Sequence, residues 1–522
     1  MKTARIIYRM IIADVLERCR RYSFLVTMAG ALYIGYAVYR GYIQMHFSEY
    51  RGIYNCAWLG TLSAIAVSLF ISFAGFYVVK NSIDRDRRTG VGEILATTPI
   101  GKIVYLLAKA FSNFAVLMAI VLVEAVSIFI MVFLKHEDTG VDLWALYSPF
   151  LFLAIPAMAI TAAIAVLFES VRFLRGGAGN VIFFFLWTAS LSVPMVNNIH
   201  PLDLSGAIYV EDSIQSAVAK FDSQAKGGFS YNAGPQEEIK TLKTFTWQGI
   251  QWTPAIIIVR FSWFLYSLLM VLLASLFFDR FDNALLARAG SAPDEKTKKG
   301  KRFAALRAGV DRWTSFEWVH SRSTFSRMLA VELMLMLRGL SLWWYLPALG
   351  LIIASLLSPM DAVREGLFPV VWVWPILIWS RLGTREDKYG TGQIIFSSPN
   401  ILSRQFPAML TAGVMLSLAT ASGVLVRFGV AGDVGSIATT ILGAVFIPLL
   451  ALAFGVWSKS SKLFEVIYLL LWYIGPMNHV AALDFTFTSP GSFSSGMPFA
   501  YVTICGILLV AAISGRRKQM VF

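Results

Sequence analysis

The sequence predicts an all-α polytopic membrane protein of twelve transmembrane helices, built as two repeated six-helix halves, each preceded by an amphipathic interfacial helix. Three observations predict it. The chain is 57% apolar and only 15% charged over 522 residues, a balance that soluble proteins rarely reach. Its apolar residues gather in blocks of roughly 20, long enough as helices to cross a hydrocarbon core. One polar, glycine-punctuated stretch occurs twice, as RDRRTGVGEILATTP at 85–99 and REDKYGTGQIIFSSP at 385–399, in register without a gap. A short segment repeated between apolar runs marks something done twice in one molecule.

Taken in order, residues 4–22 carry Ile6, Ile7, Met10, Ile11, Val15 and Leu16 with Arg5, Arg9, Arg18, Arg20 and Arg21. That pattern suits a basic helix lying in a membrane interface. It lacks the short apolar core and cleavage site of a signal peptide, so none is expected. Spans are expected at about 23–44, 57–79, 104–134, 145–167, 178–196 and 254–278, and an exposed external loop at 197–252. Residues 1–278 form the first half. Residues 279–325 read as a cytoplasmic linker, because Ala287 to Lys301 is polar and has no apolar period. The plan restarts at 326 and runs to 522. SRMLAVELMLMLR at 326–338 echoes the N-terminal helix, with Arg9 matching Arg327, Asp14 matching Glu332 and Arg20 matching Arg338. Further spans are expected at about 341–358, 366–380, 406–427, 435–457, 463–477 and 498–515.

Charge orients the chain. An even number of spans puts both termini on one side, and the segments assigned to that side hold 33 of the 45 Lys and Arg residues, against 7 in the opposite loops. By the positive-inside rule the termini, the linker and both copies of the repeat are cytoplasmic, in the cell (cytoplasmic or inner) membrane. The net charge of +14 is then an orientation signal and a contact for anionic membrane lipid, and nucleic acid is not needed to explain it. The three cysteines, Cys19, Cys56 and Cys505, have no metal-ligand or CxxC spacing.

Each copy of the repeat follows the second span of its half. A charged turn leads to two glycines one residue apart, then to a short helical run that Pro99 or Pro399 stops. Such a helix, lying across the inner mouth of the bundle, can transmit force between a cytosolic partner and the spans. A bland basic loop is the alternative for one copy, and two gapless copies weigh against it.

With an amphipathic helix before the first span, this segment resembles the signature of ABC-2 type transporter permeases, and Ser380 through Pro399 resembles a variant of it. The resemblance covers essentially the whole chain as two fused halves. It implies a non-catalytic membrane subunit driven by two copies of a separate cytosolic P-loop ATPase. It also implies coupling helices at 85–99 and 385–399. Carried onto this chain, the ATPase-coupling residues are Arg85, Asp86, Arg88, Gly90, Gly92, Glu93 and Pro99, and Arg385, Glu386, Lys388, Gly390, Gly392, Gln393 and Pro399. Gln393 replaces the acid at Glu93, so the two docking sites need not be equivalent.

The chain lacks a P-loop. Its Gly-Lys pairs, Gly101-Lys102 and Gly300-Lys301, lack both the upstream glycine and the following Ser or Thr. ATP and Mg would therefore bind the partner, no cofactor is expected on this chain, and no catalytic or metal residue is assigned. Other residues weighed are Glu124 in the third span and Asn197, His200, Asn478 and His479 after the fifth spans, as a translocation path or outer gate. Structural hydrogen bonding and ordinary helix termination are the plainer accounts. Lys109, Arg260 and Arg427 read as snorkelling cations. The favoured function is the permease of an ATP-driven exporter. The alternative is a secondary transporter with two six-span repeats driven by an ion gradient. The substrate is unread.

Overall fold

A computed structural model describes residues 2–20, 22–135, 137, 140–220, 222, 228–233, 242–279, 281, 323–338, 340, 342–398, 400–477, 480–487 and 496–521. Contacts divide the chain into two compact units, Met1–Ala292 and Pro293–Phe522. Most of the expected linker, 282–322, lies outside the described residues, as do Pro399, Asn478 and His479.

Among the described residues nine helices are long and apolar enough to cross a membrane, or ten if one bent pair is a single span. Nine of the twelve expected positions are thus occupied by helices of spanning length. At 23–44 the helix is Tyr22–Arg40, which qualifies only together with the helix before it, bent from it by 78°. At 341–358 the helix Leu342–Leu357 has 16 residues, about 24 Å, short of a core about 30 Å thick. At 463–477 a 12-residue helix gives way to a π-turn at Tyr473–Met477.

The first unit opens with α1 (Lys2–Cys19) and α2 (Tyr22–Arg40). The second span is one run of α3 (Cys56–Ala66), a π-turn, α4 (Ser72–Val79) and α5 (Ser82–Arg88), and α6 (Val91–Ala96) follows. Asn55 starts α3 by accepting the Trp58 N–H at 2.8 Å. The third span is α7 (Lys102–Lys135). The fourth is α8 (Leu143–Pro149), a π-turn at Phe150–Ala154 and α9 (Ile155–Ser170); α10 (Gly177–Asn197) and α12 (Pro254–Phe277) complete the set.

The fourth span explains Arg260, which is fully buried rather than snorkelling. Pro156 has no N–H for the Phe152 carbonyl four residues back. Arg260 Nε donates to that carbonyl at 2.9 Å, and its other nitrogens donate to Leu153, Asp203 and Leu204 carbonyls. The cation satisfies backbone groups that the π-turn and proline leave free.

The unit also holds a sheet that an all-α reading does not include. β1 (Ile43–Phe47) and β2 (Tyr50–Gly52) come from the loop after α2; β3 (Phe229–Ala233) and β4 (Lys243–Phe245) come from the 197–252 segment. The order is β3-β1-β2-β4, with Met45 opposite Tyr231 and Arg51 beside Thr244. The same segment forms α11 (Ala207–Val218), whose start is fixed by the buried Asp203 carboxylate accepting the Gly206 and Ile208 N–H groups, each at 2.8 Å.

In the second unit, α13 (Thr324–Leu337) and α14 (Leu342–Leu357) precede a span made of α15 (Met360–Ala362), a π-turn, α16 (Phe368–Val373) and α17 (Ile376–Trp379). The repeat forms α18 (Arg385–Tyr389) and α19 (Gly392–Phe396). Then come α20 (Ile401–Thr420), α21 (Ser422–Val430), α22 (Val434–Ser458), α23 (Ser461–Trp472) and α24 (Met497–Val521). Trp372 and Trp379 are fully buried packing aromatics, with Tyr468 donating its O–H to the Trp372 carbonyl at 2.7 Å.

α1 and α13 are amphipathic in a way that suits an interface. Tyr8, Ile12 and Leu16 form an exposed apolar ridge on α1, while Asp14 and Arg18 are buried; on α13, Val331 and Leu335 are exposed and Glu332 is buried. The apolar face turned outward is the face that lipid would cover.

Candidate functional site

Both copies of the repeat fold the same way: a short helix, a glycine in the left-handed region, a second short helix. Gly90 has φ +76° and Gly390 has φ +64°, conformations that favour glycine. The glycines at the next matched position differ. A Cβ on Gly92 would overlap the Phe281 ring, which also lies under the Arg87 guanidinium at 5.5 Å. Gly392 has only its own Phe396 ring near, at 3.3 Å.

In the first unit the charges of the repeat turn inward. Arg85 pairs with Asp14 of α1 at 2.7 Å, with Glu17, and with Asp86 at 3.3 Å. Lys109 of α7 bridges Asp14 at 2.7 Å and Asp86 at 2.8 Å, and the Tyr105 O–H donates to Asp86 at 2.8 Å. Lys109 is therefore a buried structural cation, not a snorkelling one; two carboxylates on neighbouring elements hold it in place. The start of α5 is held from α9. The buried Glu169 carboxylate accepts the N–H groups of Asn81, Ser82, Ile83 and Asp84 at 2.5–3.2 Å. Four backbone donors at a helix start have their partner there.

In the second unit, Arg385 pairs with Glu332 of α13 at 3.0 Å, and Arg516 of α24 pairs with Glu386 at 2.5 Å. Gln405 donates to Glu332 at 3.3 Å and to Glu386 at 3.2 Å. Burial pushes the Glu332 carboxyl up, and Arg385 beside it only partly offsets this, so it stays above the ordinary 4.5. Burial also acts on Glu386, but Arg516, together with hydrogen bonds from the backbone and Gln405, holds that carboxyl below 4.5.

These contacts sort the residues singled out in the sequence. Asp86 and Glu386 are buried, and Arg85 and Arg385 are half-buried, all four tied by ion pairs to neighbouring elements. Arg88 and Lys388 are exposed, and Arg88 is paired with Asp84 at 2.5 Å. Gln393 is exposed and Glu93 half-buried. Each α6-type helix presents an isoleucine at the same offset, Ile94 at 67% and Ile394 at 74% exposure. On the other face of α6, Leu95 and Ala96 pack against a buried cluster that includes Ile83, Tyr105, Phe278 and Phe281.

Asn197 is exposed at the end of α10 and donates to the Val193 carbonyl at 2.9 Å. His200 packs at a tilt against Tyr209 with ring centres 4.9 Å apart and faces Asp212 at 3.6 Å. Glu124 is fully buried in α7. Among the described residues no hydrogen bond, ion pair or ring contact joins Glu124 to Asn197 or His200, and no cluster could hold a metal ion. Sequence reasoning missed Glu169, Tyr105, Gln405 and Arg516. Tyr105 and Gln405 stand 300 positions apart, the offset of the repeat, so extending that register six residues further would have found them.

No protein-family model, no curated protein and no solved structure matches the chain.

Proposed function

We propose that the chain is the membrane-spanning permease subunit of an ATP-driven transporter, an exporter of the ABC-2 kind. Two copies of a separate P-loop ATPase would dock on its cytoplasmic face at 85–99 and 385–399. One observation carries the reading: in both units the repeat exposes an isoleucine at its tip, while its arginine and acid are tied into buried ion pairs. An exposed apolar tip on a rigid mount suits a docking knob. The ion pairs tie the mount to the interfacial helix and a span, so a push on the knob would move all three elements. ATP and Mg would be held by the partner, and this chain would do no chemistry.

The test is co-purification with the ATPase from native membranes, followed by ATP turnover and transport into vesicles. Ile94→Asp and Ile394→Asp are expected to lose the ATPase and its stimulated turnover, with Glu93→Arg and Gln393→Arg weaker. Assembly and turnover that survive both isoleucine changes would remove the coupling assignment. Transport driven by an ion gradient and not by ATP would favour the secondary carrier.

A further inference from the structure

The sharpest unexplained feature outside the repeat is Glu124. Both of its carboxylate oxygens are buried and without a hydrogen-bond partner among the described residues. At about 1.5 Å per residue it stands about 33 Å along α7 from Lys102, in the half away from the repeat. Leu122, Val126 and Ile130 are at least half exposed, so α7 turns an apolar ridge outward and this acid inward.

Three elements close over it. Ser63 of α3 and the backbone of Gly35 of α2 lie beside the carboxyl. A Cβ on Gly35 would come within 3.4 Å of Glu124 Oε1 and would overlap Ser127 Oγ, so only glycine permits this approach. Tyr231 of β3 lies close enough for its hydroxyl to feel a charge on Glu124. The Ser63 and Tyr231 hydroxyls are themselves buried and unpartnered.

Among the described residues no cation answers the acid. Arg260 of α12 is turned to backbone carbonyls, and Arg40 of α2 lies against Tyr42. Arg51 beside the sheet pairs with Glu137. Asp14 of α1, Lys109 of α7 and Glu169 of α9 belong to the network at the repeat. An ionised carboxylate left unpaired there is unfavourable, and taking up a proton removes most of that penalty. The surrounding hydroxyls can then accept its O–H.

We infer that Glu124, with Ser63, Ser127 and Tyr231, forms a buried proton-binding site in the first unit. In this conformation the carboxylate has taken a proton from water and holds it as a neutral acid. It returns the proton to solvent when water reaches the site. No electron or co-reactant is involved. At the offset matching Glu124 the second unit carries Val424, which holds no proton. The site would therefore tie one proton per chain to the first unit alone. This does not depend on the ATPase assignment.

Infrared difference spectroscopy of the purified full-length protein, wild type against Glu124→Gln at neutral pH in light and heavy water, tests it. The expected result is loss of one carboxylic-acid carbonyl band that shifts on deuteration. Loss of carboxylate bands instead would overturn the inference. Tyr231→Phe and Ser63→Ala keep the acid and remove an acceptor, so each is expected to shift that band; a band unmoved by both would overturn the assigned site. Stabilisation by sodium over choline that vanishes in Glu124→Gln would assign the site to a metal cation and overturn the proton reading.

Discussion

The two copies of the repeat share a backbone and differ in how their charge is balanced. In the first unit two cations, Arg85 and Lys109, meet Asp14 and Asp86. In the second, Arg385 meets Glu332 and Arg516 meets Glu386, and both Arg385 Nη2 and Glu386 Oε2 lack a partner among the described residues. Met409 occupies the offset of Lys109, and its sulfur lies 4.0 Å from Arg516. The position of the charge is kept while the element that supplies it changes, from the third span of one unit to the last helix of the other. A buried acid needs a nearby cation, and the fold is indifferent to which helix brings it.

The largest expected effect tests that indifference. Arg516→Met leaves the buried Glu386 without its cation, which should cost about 3–5 kcal/mol, and Lys109→Met, which leaves Arg85 on both acids, should cost less. Adding Met409→Lys to Arg516→Met is expected to recover much of the loss, read as thermal unfolding in detergent. Failure of the added lysine to rescue would mean that Arg516 acts through packing, including its 4.9 Å contact over the Phe396 ring.

Next comes the clamp at the start of α5; among the described residues the start of α18 has no side-chain cap. Glu169→Ala leaves four N–H groups at the start of α5 unsatisfied, and about 2 kcal/mol is expected. In the second unit the matching turn is held by close backbone packing: Gly383 has φ +72° and its Cβ would lie 3.0 Å from Val456. Hydrogen exchange localised to 81–88 should rise in the variant and stay unchanged at 384–389. A rise in both regions would show that the clamp stabilises the protein globally.

Some of this was legible in the sequence. The apolar blocks are readable because a span must satisfy its backbone internally and so declares itself by length. Asp14 and Glu332 could be matched in kind, but nothing in a single chain shows that Arg85 and Arg385 reach them. Lys109 and Arg260 looked like snorkelling cations because a lone charge in an apolar run gives no sign of partners on other elements, 23 and 95 positions away for Lys109 and more than 50 for Arg260. The sheet was hidden because β1 and β3 are nearly two hundred residues apart. The π-turns leave little trace, although Pro149 and Pro156 bracket one of them.

A smaller effect separates the second glycines. Gly92→Ala must displace the Phe281 ring, and about 1–3 kcal/mol is expected for such overpacking. Gly392→Ala meets only a rotatable ring and gains helix propensity, so about zero is expected. Equal losses in thermal unfolding would mean that the two helices are seated alike.

The smallest effect is one of pH, and it distinguishes the interfacial helices. Glu332 is held above 4.5, so its native form binds a proton more tightly than the unfolded chain does. Its contribution is complete below the ordinary carboxylate value and is lost as pH rises through the raised one. Glu386 is held low, so its contribution is present above the ordinary value and lost only as pH falls through the depressed one. At neutral pH the second network thus bears the Glu332 penalty. Hydrogen-exchange protection of Thr324–Leu337, corrected for intrinsic rates, is expected to fall as pH rises in the wild type and to stay flat in Glu332→Gln. Asp14, with two cations on its oxygens, has more to lose on neutralisation, so Asp14→Asn should lower protection of α1 throughout the same range. A Glu332→Gln variant that loosened α13 at low pH would show that its charge is needed there, and the two networks would then be balanced alike.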